Sequence, residues 1–449
     1  MLIFVSWTKI LFKNCELRIA NCELSYLYGM NILTTLNKLI FSPVMFAMLF
    51  ICGGVLLIRL RGFPLTSPVK VTKSLMGKNL LSSFKAMTVA LAGTLGVGNI
   101  VGVATAIHMG GAGAVFWMLV SAFAAMVIKY AEIYLAILYR RGHHGGAAYY
   151  IRDGMGRPGL AAVFSVLCII ASFTVGNMIQ VNAVAQSFES EFSCNGLVVG
   201  SVIAILCFLV VYKGIGSISS FTLRMIPILS VGFILFSLVI IIANRSLIPG
   251  IIKEIFASAF KKSSAFGGVL GYLLSDSVRY GVVRGIGSNE AGCGTAPTAH
   301  ATAEATSPRK QGCFGIFEVF VDTVLLCTLT ALVILIYPLN IKEYDGIVLA
   351  VKAYESYFGE AAGYILSGAI FFFALSTVIC WSYYAFEAIH YFTKREIYKK
   401  AYLVVYCLCC VMGAVLSLEF VWELSDITIA LMTILNCTAV ISLKNKIKC

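Results

Sequence analysis

Long apolar stretches fill most of this 449-residue chain, and they restrict its fold more than any other feature. A helix of about 20 apolar residues is long enough to cross the hydrocarbon core of a bilayer. Only 12% of the residues are charged, whereas soluble domains carry roughly 25%. Eleven apolar stretches can be marked, at residues 37–58, 84–108, 113–138, 160–186, 197–212, 220–243, 265–299, 312–337, 362–388, 401–417 and 426–443. The sequence therefore predicts an all-α polytopic membrane protein with eleven transmembrane helices.

Basic residues account for the formal net charge of +13, and most of them lie in alternate gaps between the apolar stretches. Arg140 and Arg141 follow the third stretch, for example, and Lys399 and Lys400 follow the ninth. Cytoplasmic loops of membrane proteins carry such an excess of Lys and Arg. We therefore expect the gaps after the odd-numbered stretches, and the tail at 444–449, to be cytoplasmic. The positive charge indicates topology, and no nucleic-acid partner is expected.

Residues 1–35 differ from the rest of the chain. They contain NCELRIANCEL, in which the segment NCEL occurs twice, seven residues apart, and they show no hydrophobic periodicity. We therefore interpret them as a dispensable or disordered extension. Met30 is an alternative start, and the order of segments typical of a cleaved signal is missing. Residues 36–443 are expected to form a single transmembrane domain. The fifteen cysteines show neither a metal-binding nor a disulfide pattern.

Two of the apolar stretches are interrupted near their middle. The second contains GTLGVGN at Gly93–Asn99, and the seventh contains GIGSNEAGCGTAP at Gly285–Pro297. In lipid, such interruptions are tolerated only where protein or a water-filled cavity surrounds the freed backbone groups. Without the first stretch, the others form two sets of five, 84–243 and 265–443, and each set begins with an interrupted stretch. An odd number of spans inverts the second set, and paired breaks of this kind mark the binding site of inverted-repeat transporters.

The chemistry of such breaks favours a zwitterion and a cation. Half-helix N-termini offer N–H groups to an anion, while the opposite ends offer carbonyl oxygens to a cation. An amino acid with sodium fits both ends. The alternative is that the glycines only permit close helix packing. That explains Gly110, Gly111 and Gly113, but it explains poorly the Asn, Ser and Glu that stand at the breaks.

Other stretches carry polar side chains for which two roles are possible. The amides of Asn177, Gln180 and Gln186 lie on about one helical face, and they either line a path or hold helices together. In the ninth stretch, Ser376 and Thr377 offer hydroxyl oxygens suited to sodium, although bonding to their own helix is equally common.

Charged residues within the stretches are expected to be neutralised. Lys129 and Glu132 are three residues apart, and we expect them to pair or to reach the helix end. Glu318 and Asp322 are costly in a membrane, and we expect structural pairing first and ion coupling second. Three charges before the second break form part of a gate or neutralise one another: Asp276, Arg279 and Arg284. Two histidines have no partner at ligand spacing and are assigned to helix packing or loops: His108 and His300.

Taken together, these motifs resemble the alanine or glycine:cation symporter family. The similarity runs in order from about Pro43 to Asn445. It is carried by GTLGVGNIVGVATAI, GGAGAVFWM, KYAEIYLAILYR, GNMIQVNAVA, RGIGSNEAGCGTAPTAHA and FALSTVICWSYYAFEA, among which GVGNI and SNEAG are the most specific. The resemblance implies a LeuT-like 5+5 inverted repeat with one preceding helix. It also implies sodium-coupled uptake of small neutral amino acids, L-alanine or glycine.

The resemblance also implies the residues of the site. The substrate-binding candidates are Gly93, Thr94, Gly96, Gly98, Asn99, Gln180, Ser288, Asn289 and Trp381. The candidates for the co-transported sodium ion are Gly93, Ser376 and Thr377. The chain departs from the family at Gly287, where Phe is usual, and at Cys293, which replaces a larger apolar residue. The preference among small amino acids therefore stays open.

Two rival functions follow from the same sequence. An amino-acid channel or a non-transporting sensor on this scaffold is the alternative to a symporter. An enzyme is not expected, because no Ser or Asp stands beside a His at catalytic spacing. We expect a multi-pass protein of the plasma membrane whose partners are its substrate and lipid, with no obligate protein partner.

Overall fold

The computed structural model describes residues 42–63, 80–260, 275–304, 306–337, 346–416 and 418–448, with isolated positions between 34 and 75 and at 344. Within these ranges the chain is helical, and an isolated antiparallel bridge joins Arg141 to His144. The predicted extension at 1–35 and the start of the seventh predicted stretch fall almost entirely outside the described residues.

The helices of the first half follow the first six predicted stretches. They are α1 (Ser42–Arg59), α2 (Leu80–Thr94), α3 (Val101–Gly110), α4 (Gly113–Tyr139), α5 (Pro158–Phe173), α6 (Ile179–Phe192), α7 (Gly196–Val211) and α8 (Ile215–Ala243). A 3-10 turn at Val97–Asn99 separates α2 from α3, and the two are bent by 62°. A π-helical turn at Thr174–Met178 joins α5 to α6.

The second half repeats this alternation of long helices and one broken helix. Its elements are α9 (Ile248–Ala259), α10 (Asp276–Asn289), α11 (Ala296–His300), α12 (Pro308–Val319), α13 (Thr328–Ile336), α14 (Gly346–Phe358), α15 (Glu360–Phe392), α16 (Glu396–Gly413) and α17 (Leu418–Ser442). A π-helical segment at Phe320–Cys327 joins α12 to α13. Helices α9 and α14, of 12 and 13 residues, were not predicted, because they are too short to fill a membrane-length window.

Length and composition show a multi-pass membrane protein. Six helices of the described ranges are long and apolar enough to cross a bilayer, namely α4, α5 with α6, α8, α12 with α13, α15 and α17. The bent pair α2 and α3 makes a seventh if it counts as one span, and α1 and α7 are shorter apolar helices. Large apolar side chains lie exposed on α7 and α8, among them Ile205, Leu209, Ile228 and Leu235. Such surfaces suit contact with lipid.

The backbone of the two breaks departs from helix for different reasons. Gly96 is extended, and a Cβ built there would lie 2.6 Å from Thr377 Oγ1, so only glycine fits. The second break begins at Glu290, whose φ of 53° ends α10 in the left-handed region, and Gly292 and Gly294 also have positive φ. The second break is thus narrower than predicted, since Gly285 and Gly287 lie within α10.

A buried ion network joins α4 to the second break. The ammonium of Lys129 lies 3.1 Å from Glu318 Oε1 and donates to the carbonyl of Asn289 at 2.6 Å, and both side chains are buried. The predicted pairing of Lys129 with Glu132 is therefore wrong. Tertiary packing brings the carboxylate of α12 against α4, whereas Glu132 accepts a hydrogen bond from Asn436 instead.

His300 belongs to the same network. Its Nε2 lies 3.0 Å from Glu318 Oε2, and its Nδ1 lies 2.7 Å from Gln311 Nε2. These contacts join α11 to α12 and agree with the assignment of His300 to helix packing, although its two partners were not predicted. Glu318 is a structural partner, as expected, since it faces both Lys129 and His300.

Removing the ammonium of this network tests its contribution to folding. We expect Lys129→Met to lower the free energy of unfolding by about 3–5 kcal/mol, because the Glu318 carboxylate would stay buried without its cation. Thermal denaturation of the detergent-solubilised protein, followed by size-exclusion chromatography, measures the loss.

The matched control is Lys399→Met. Lys399 pairs with Glu396, whose side chain is 69% exposed, so its loss should change the free energy of unfolding by less than about 1 kcal/mol. Equal effects of the two substitutions would contradict a structural role for the Lys129–Glu318 pair.

Candidate functional site

A buried cavity lies where the two broken helices meet. One side of it is bare backbone, contributed by Gly93, Gly98, Gly102 and Gly287. Polar side chains from four different helical segments also line it, beside the apolar side chains of Val175, Ile179 and Ile429 and the Trp422 ring: Thr94, Gln180, Arg284, Glu290, Ser425 and Asp426. The breaks therefore enclose a small polar space inside an apolar bundle, which is the environment that a zwitterionic ligand requires.

Gln180, a predicted substrate ligand, lines the cavity and also supports the first break. Its Oε1 accepts a hydrogen bond from the Val97 amide at 3.0 Å, and its Nε2 donates to the Val175 carbonyl at 3.1 Å. A Cβ built at Gly96 would lie 2.5 Å from Gln180 Oε1 and would collide with that side chain. Gln180 thus binds the backbone N–H of the first residue of the 3-10 turn, a donor that the start of a helical segment leaves without a helical partner.

The other two amides predicted on this face have a different role. Asn177 donates to the Tyr406 carbonyl of α16 at 2.7 Å, and Gln186 donates to Asn182 at 3.3 Å. Asn177 therefore joins the π-helical turn to α16, whereas the Gln186 bond stays within α6. The π-helical turn at Thr174–Met178 explains the separation, because it inserts one residue and rotates the following side chains away from a simple helical face.

One carboxylate that the sequence ranked low connects the two breaks. Asp322 Oδ1 accepts a hydrogen bond from the Asn99 amide at 2.8 Å, and Oδ2 accepts from the Ser288 hydroxyl at 2.7 Å. Thr323 also donates to Oδ2 at 2.7 Å, and all four residues are buried. Asn99 and Ser288, both predicted substrate ligands, therefore bind Asp322 in this structure, and neither lines the cavity.

Asn289 and Trp381 shape the second break from outside the cavity. The Asn289 amide donates to the Gly285 carbonyl at 2.8 Å and to Thr323 at 3.0 Å, while its Oδ1 accepts from the Ala291 amide at 3.0 Å. The Trp381 indole donates to Glu290 Oε1 at 3.0 Å. Trp381 thus orients a carboxylate that does line the cavity.

Glu290 is one of the cavity residues that sequence reasoning did not select. Its Oε2 accepts a second hydrogen bond, from the Thr295 hydroxyl at 2.6 Å, and the residue is buried. The signal was present in the sequence, because Glu290 is the acidic member of the SNEAG motif. Its left-handed backbone, which ends α10, turns the side chain towards α15.

The predicted sodium ligands separate into two kinds. The Thr377 hydroxyl lies 2.8 Å from the Ala92 carbonyl, beside the end of α2, and 3.1 Å from the Phe373 carbonyl of its own helix. The Ser376 hydroxyl donates to Phe373 of its own helix at 2.7 Å. Gly93 lies against α15, where a Cβ would be 2.7 Å from the Tyr384 hydroxyl. Hydroxyl and carbonyl oxygens at a helix end are suited to sodium, and no cluster of three metal-binding side chains occurs among the described residues.

An ion pair also lines the cavity. Arg284 Nη1 lies 3.2 Å from Asp426 Oδ1 on α17, and the guanidinium lies 4.3 Å from the centre of the Trp422 ring. Arg284 is therefore neutralised by α17, and the alternative that Asp276 neutralises it is wrong. The carboxylate that pairs with Arg284 thus lies 142 residues further along the chain.

Known proteins share these motifs over nearly the whole chain. The sequence matches the sodium:alanine symporter family over residues 27–448. The sodium/alanine symporter AgcS of Methanococcus maripaludis is 35% identical over 426 residues, which are 90% of this chain and 93% of that protein. An uncharacterized transporter of Haemophilus influenzae is 35% identical over 399 residues, which are 87% of each protein.

The fold is also similar to a solved structure. MhsT in complex with L-phenylalanine aligns with a TM-score of 0.57 at 14% identity, over 78% of this chain and 87% of that one. At this identity the similarity shows the fold alone. The sequence match, in contrast, spans the helices that build both breaks and confirms the resemblance read from the motifs. The chain belongs to the sodium:alanine symporter family.

Proposed function

We propose that this protein is a sodium-coupled symporter that imports small neutral amino acids, L-alanine and glycine, across the plasma membrane. The observation that carries the proposal is the meeting of two broken helices around one buried cavity, with Thr377 bonded to the carbonyl of Ala92 beside it. Membership of the sodium:alanine symporter family supports the same function.

The proposed topology is that of eleven spans in two inverted sets of five, with α1 outside the repeat. Each set then begins with a broken helix, α2–α3 in the first and α10–α11 in the second. Two sequence features support this arrangement, the apolar stretches and the alternation of basic gaps. The same alternation puts the C-terminal tail in the cytoplasm and the start of α10 on the outside.

Sodium binds first in the proposed mechanism, between α2 and α15. The Thr377 hydroxyl and the carbonyl oxygens around Ala92 and Gly93 are its ligands, and Ser376 is an additional candidate because it lies one residue away. One positive charge that moves through a membrane potential of 100 mV gains about 2.3 kcal/mol. A coupled cation is therefore a sufficient driving force for uptake against a gradient.

The amino acid then binds between the two breaks. Its carboxylate faces N–H groups of the first break near Gly98, and its ammonium faces carbonyl oxygens and the Glu290 carboxylate. Thr94, Gly96 and Gln180 complete the near wall of the site. Asn99, Ser288 and Asn289 act through the hydrogen bonds that hold the breaks in place, and Trp381 acts through Glu290.

Alternating access follows from the way the breaks are connected. Asp322 holds Asn99 of the first break and Ser288 of the second, so the two broken helices move as one body against the rest of the bundle. An amino-acid channel or sensor on the same scaffold is the alternative. Uptake of alanine to a higher concentration than outside distinguishes the symporter from both.

Reconstitution tests the proposed coupling directly. We expect proteoliposomes to accumulate radiolabelled alanine when an inward sodium gradient is present, because the site needs a cation to organise it. Replacement of sodium by choline should abolish accumulation. Uptake that continues unchanged in choline would refute sodium coupling.

A substitution at Thr377 tests the cation site itself. We expect Thr377→Ala to raise the sodium concentration for half-maximal uptake by about tenfold or more, because an oxygen ligand of a charged group is lost. Thr377→Ser keeps the hydroxyl and should stay close to the wild type. Sodium titration of alanine uptake measures both variants, and an equal shift in the two would show that the hydroxyl is not a ligand.

A further inference from the structure

A large apolar groove lies on the surface of the bundle and shares no lining residue with the cavity between the breaks. It encloses about 640 Å³ between α5, the end of α15 and the first half of α16. Phe392 and Val405, which both line it, are about half exposed. Its other apolar lining residues include Ile169, Phe173, Ile389 and Tyr402. A concave apolar surface of this size indicates an interaction site.

Basic side chains stand at one end of this groove. Arg395, in the turn between α15 and α16, lines the groove and is exposed. Lys394 precedes it and Lys400 follows in the second turn of α16, and both are exposed as well. None of these three forms an ion pair with a described residue, whereas Lys399 pairs with Glu396 at 2.9 Å. This end of the groove therefore carries positive charge that no described carboxylate pairs with directly.

The length of the groove matches one leaflet of a bilayer. Val405 follows Arg395 by ten residues, which correspond to about 15 Å along a helix, and half of the hydrocarbon core of a bilayer is also about 15 Å thick. Phe392 and Tyr398, each 51% exposed, line the groove near its basic end. Aromatic side chains prefer the boundary between headgroups and hydrocarbon. The groove thus offers charge at one end and apolar side chains at the other, as the parts of a phospholipid require.

A second copy of the chain fits this groove less well. Most homo-oligomers are twofold symmetric, so the same patch of both copies would meet. The Arg395 and Lys394 side chains of one copy would then lie near those of the other, and like charges repel one another. An anionic headgroup balances them instead. Charge therefore selects lipid over a second copy as the occupant.

We infer that this groove binds an anionic phospholipid of the cytoplasmic leaflet. The phosphate group of the lipid binds Arg395 and Lys394, and an acyl chain lies along α5 and α16. In the proposed topology this end of α16 faces the cytoplasm, where anionic lipids make the membrane surface negative. The inference uses that topology, but the binding itself requires neither sodium nor an amino acid, so it is tested separately from transport.

Native mass spectrometry of the detergent-solubilised protein measures this binding. The probes are phosphatidylglycerol and phosphatidylcholine with identical acyl chains, each titrated on its own. We expect the first phosphatidylglycerol to bind more tightly than the first phosphatidylcholine by about fivefold or more, because each basic side chain at the membrane surface favours an anionic headgroup.

Arg395→Gln tests the contact with the headgroup. It removes a charge that lines the groove, so the affinity for phosphatidylglycerol should fall by about fivefold while the affinity for phosphatidylcholine changes little. The matched control is Arg224→Gln, since Arg224 is exposed on α8 and does not line the groove. Neither affinity should change in the control.

Ala401→Trp tests the contact with the acyl chain. Ala401 lines the groove and is exposed, so the indole fills the groove without entering the packed core. Binding of both lipids should weaken by about fivefold or more, because the chain loses its close contacts with the groove. Ile205→Trp is the control, since Ile205 is 60% exposed on α7 and does not line the groove.

Three results would overturn the inference. They are equal affinities of the wild type for the two lipids, a loss of phosphatidylglycerol binding in Arg395→Gln no larger than in Arg224→Gln, and unchanged phosphatidylglycerol binding in folded Ala401→Trp. The same spectra report oligomers, and a dimer that Ala401→Trp dissociates would identify a second copy as the occupant and would also overturn it. A failure of sodium-dependent alanine uptake, in contrast, concerns the proposed function and leaves the lipid measurements unaffected.

Discussion

The carboxylate of Asp322 is the point at which the two halves of the site are joined. It accepts hydrogen bonds from Asn99 in the first break and from Ser288 beside the second. A buried carboxylate is stable only when donors surround it, so the position of each break depends on the other. The cavity lies between the glycines and backbone turns of the two breaks, so its shape depends on the distance between the breaks that Asp322 maintains.

The second break has a permanent cation of its own, the ammonium of Lys129. Lys129 donates to the Asn289 carbonyl and faces Glu318, and His300 binds the other oxygen of that carboxylate. The chain thus supplies its own ammonium where α10 ends, while the described groups around the end of α2 are neutral, among them the Thr377 hydroxyl and the Gln180 amide. This asymmetry supports the proposal that sodium binds at the first break.

Sequence reasoning located the breaks well but assigned their side chains less accurately. Gln180, a predicted substrate ligand, lines the cavity, because its position next to a break is a local property. Asn99 and Ser288 instead bind Asp322, a contact across more than thirty residues in each case that no local spacing predicts. Glu290 and Arg284 line the cavity since α15 and α17 pack beside them. Two helices, α9 and α14, escaped prediction because their apolar faces are shorter than a membrane.

The sequence by itself determined that this protein lies in a lipid membrane, which family it belongs to, and where its helices break. These properties depend on composition and on glycine, which act locally along the chain. Only the tertiary structure decided which polar groups pair with one another and which remain in the cavity. A buried polar side chain binds whatever donor or acceptor packing brings within reach, and packing joins residues such as Arg284 and Asp426 that are far apart in sequence.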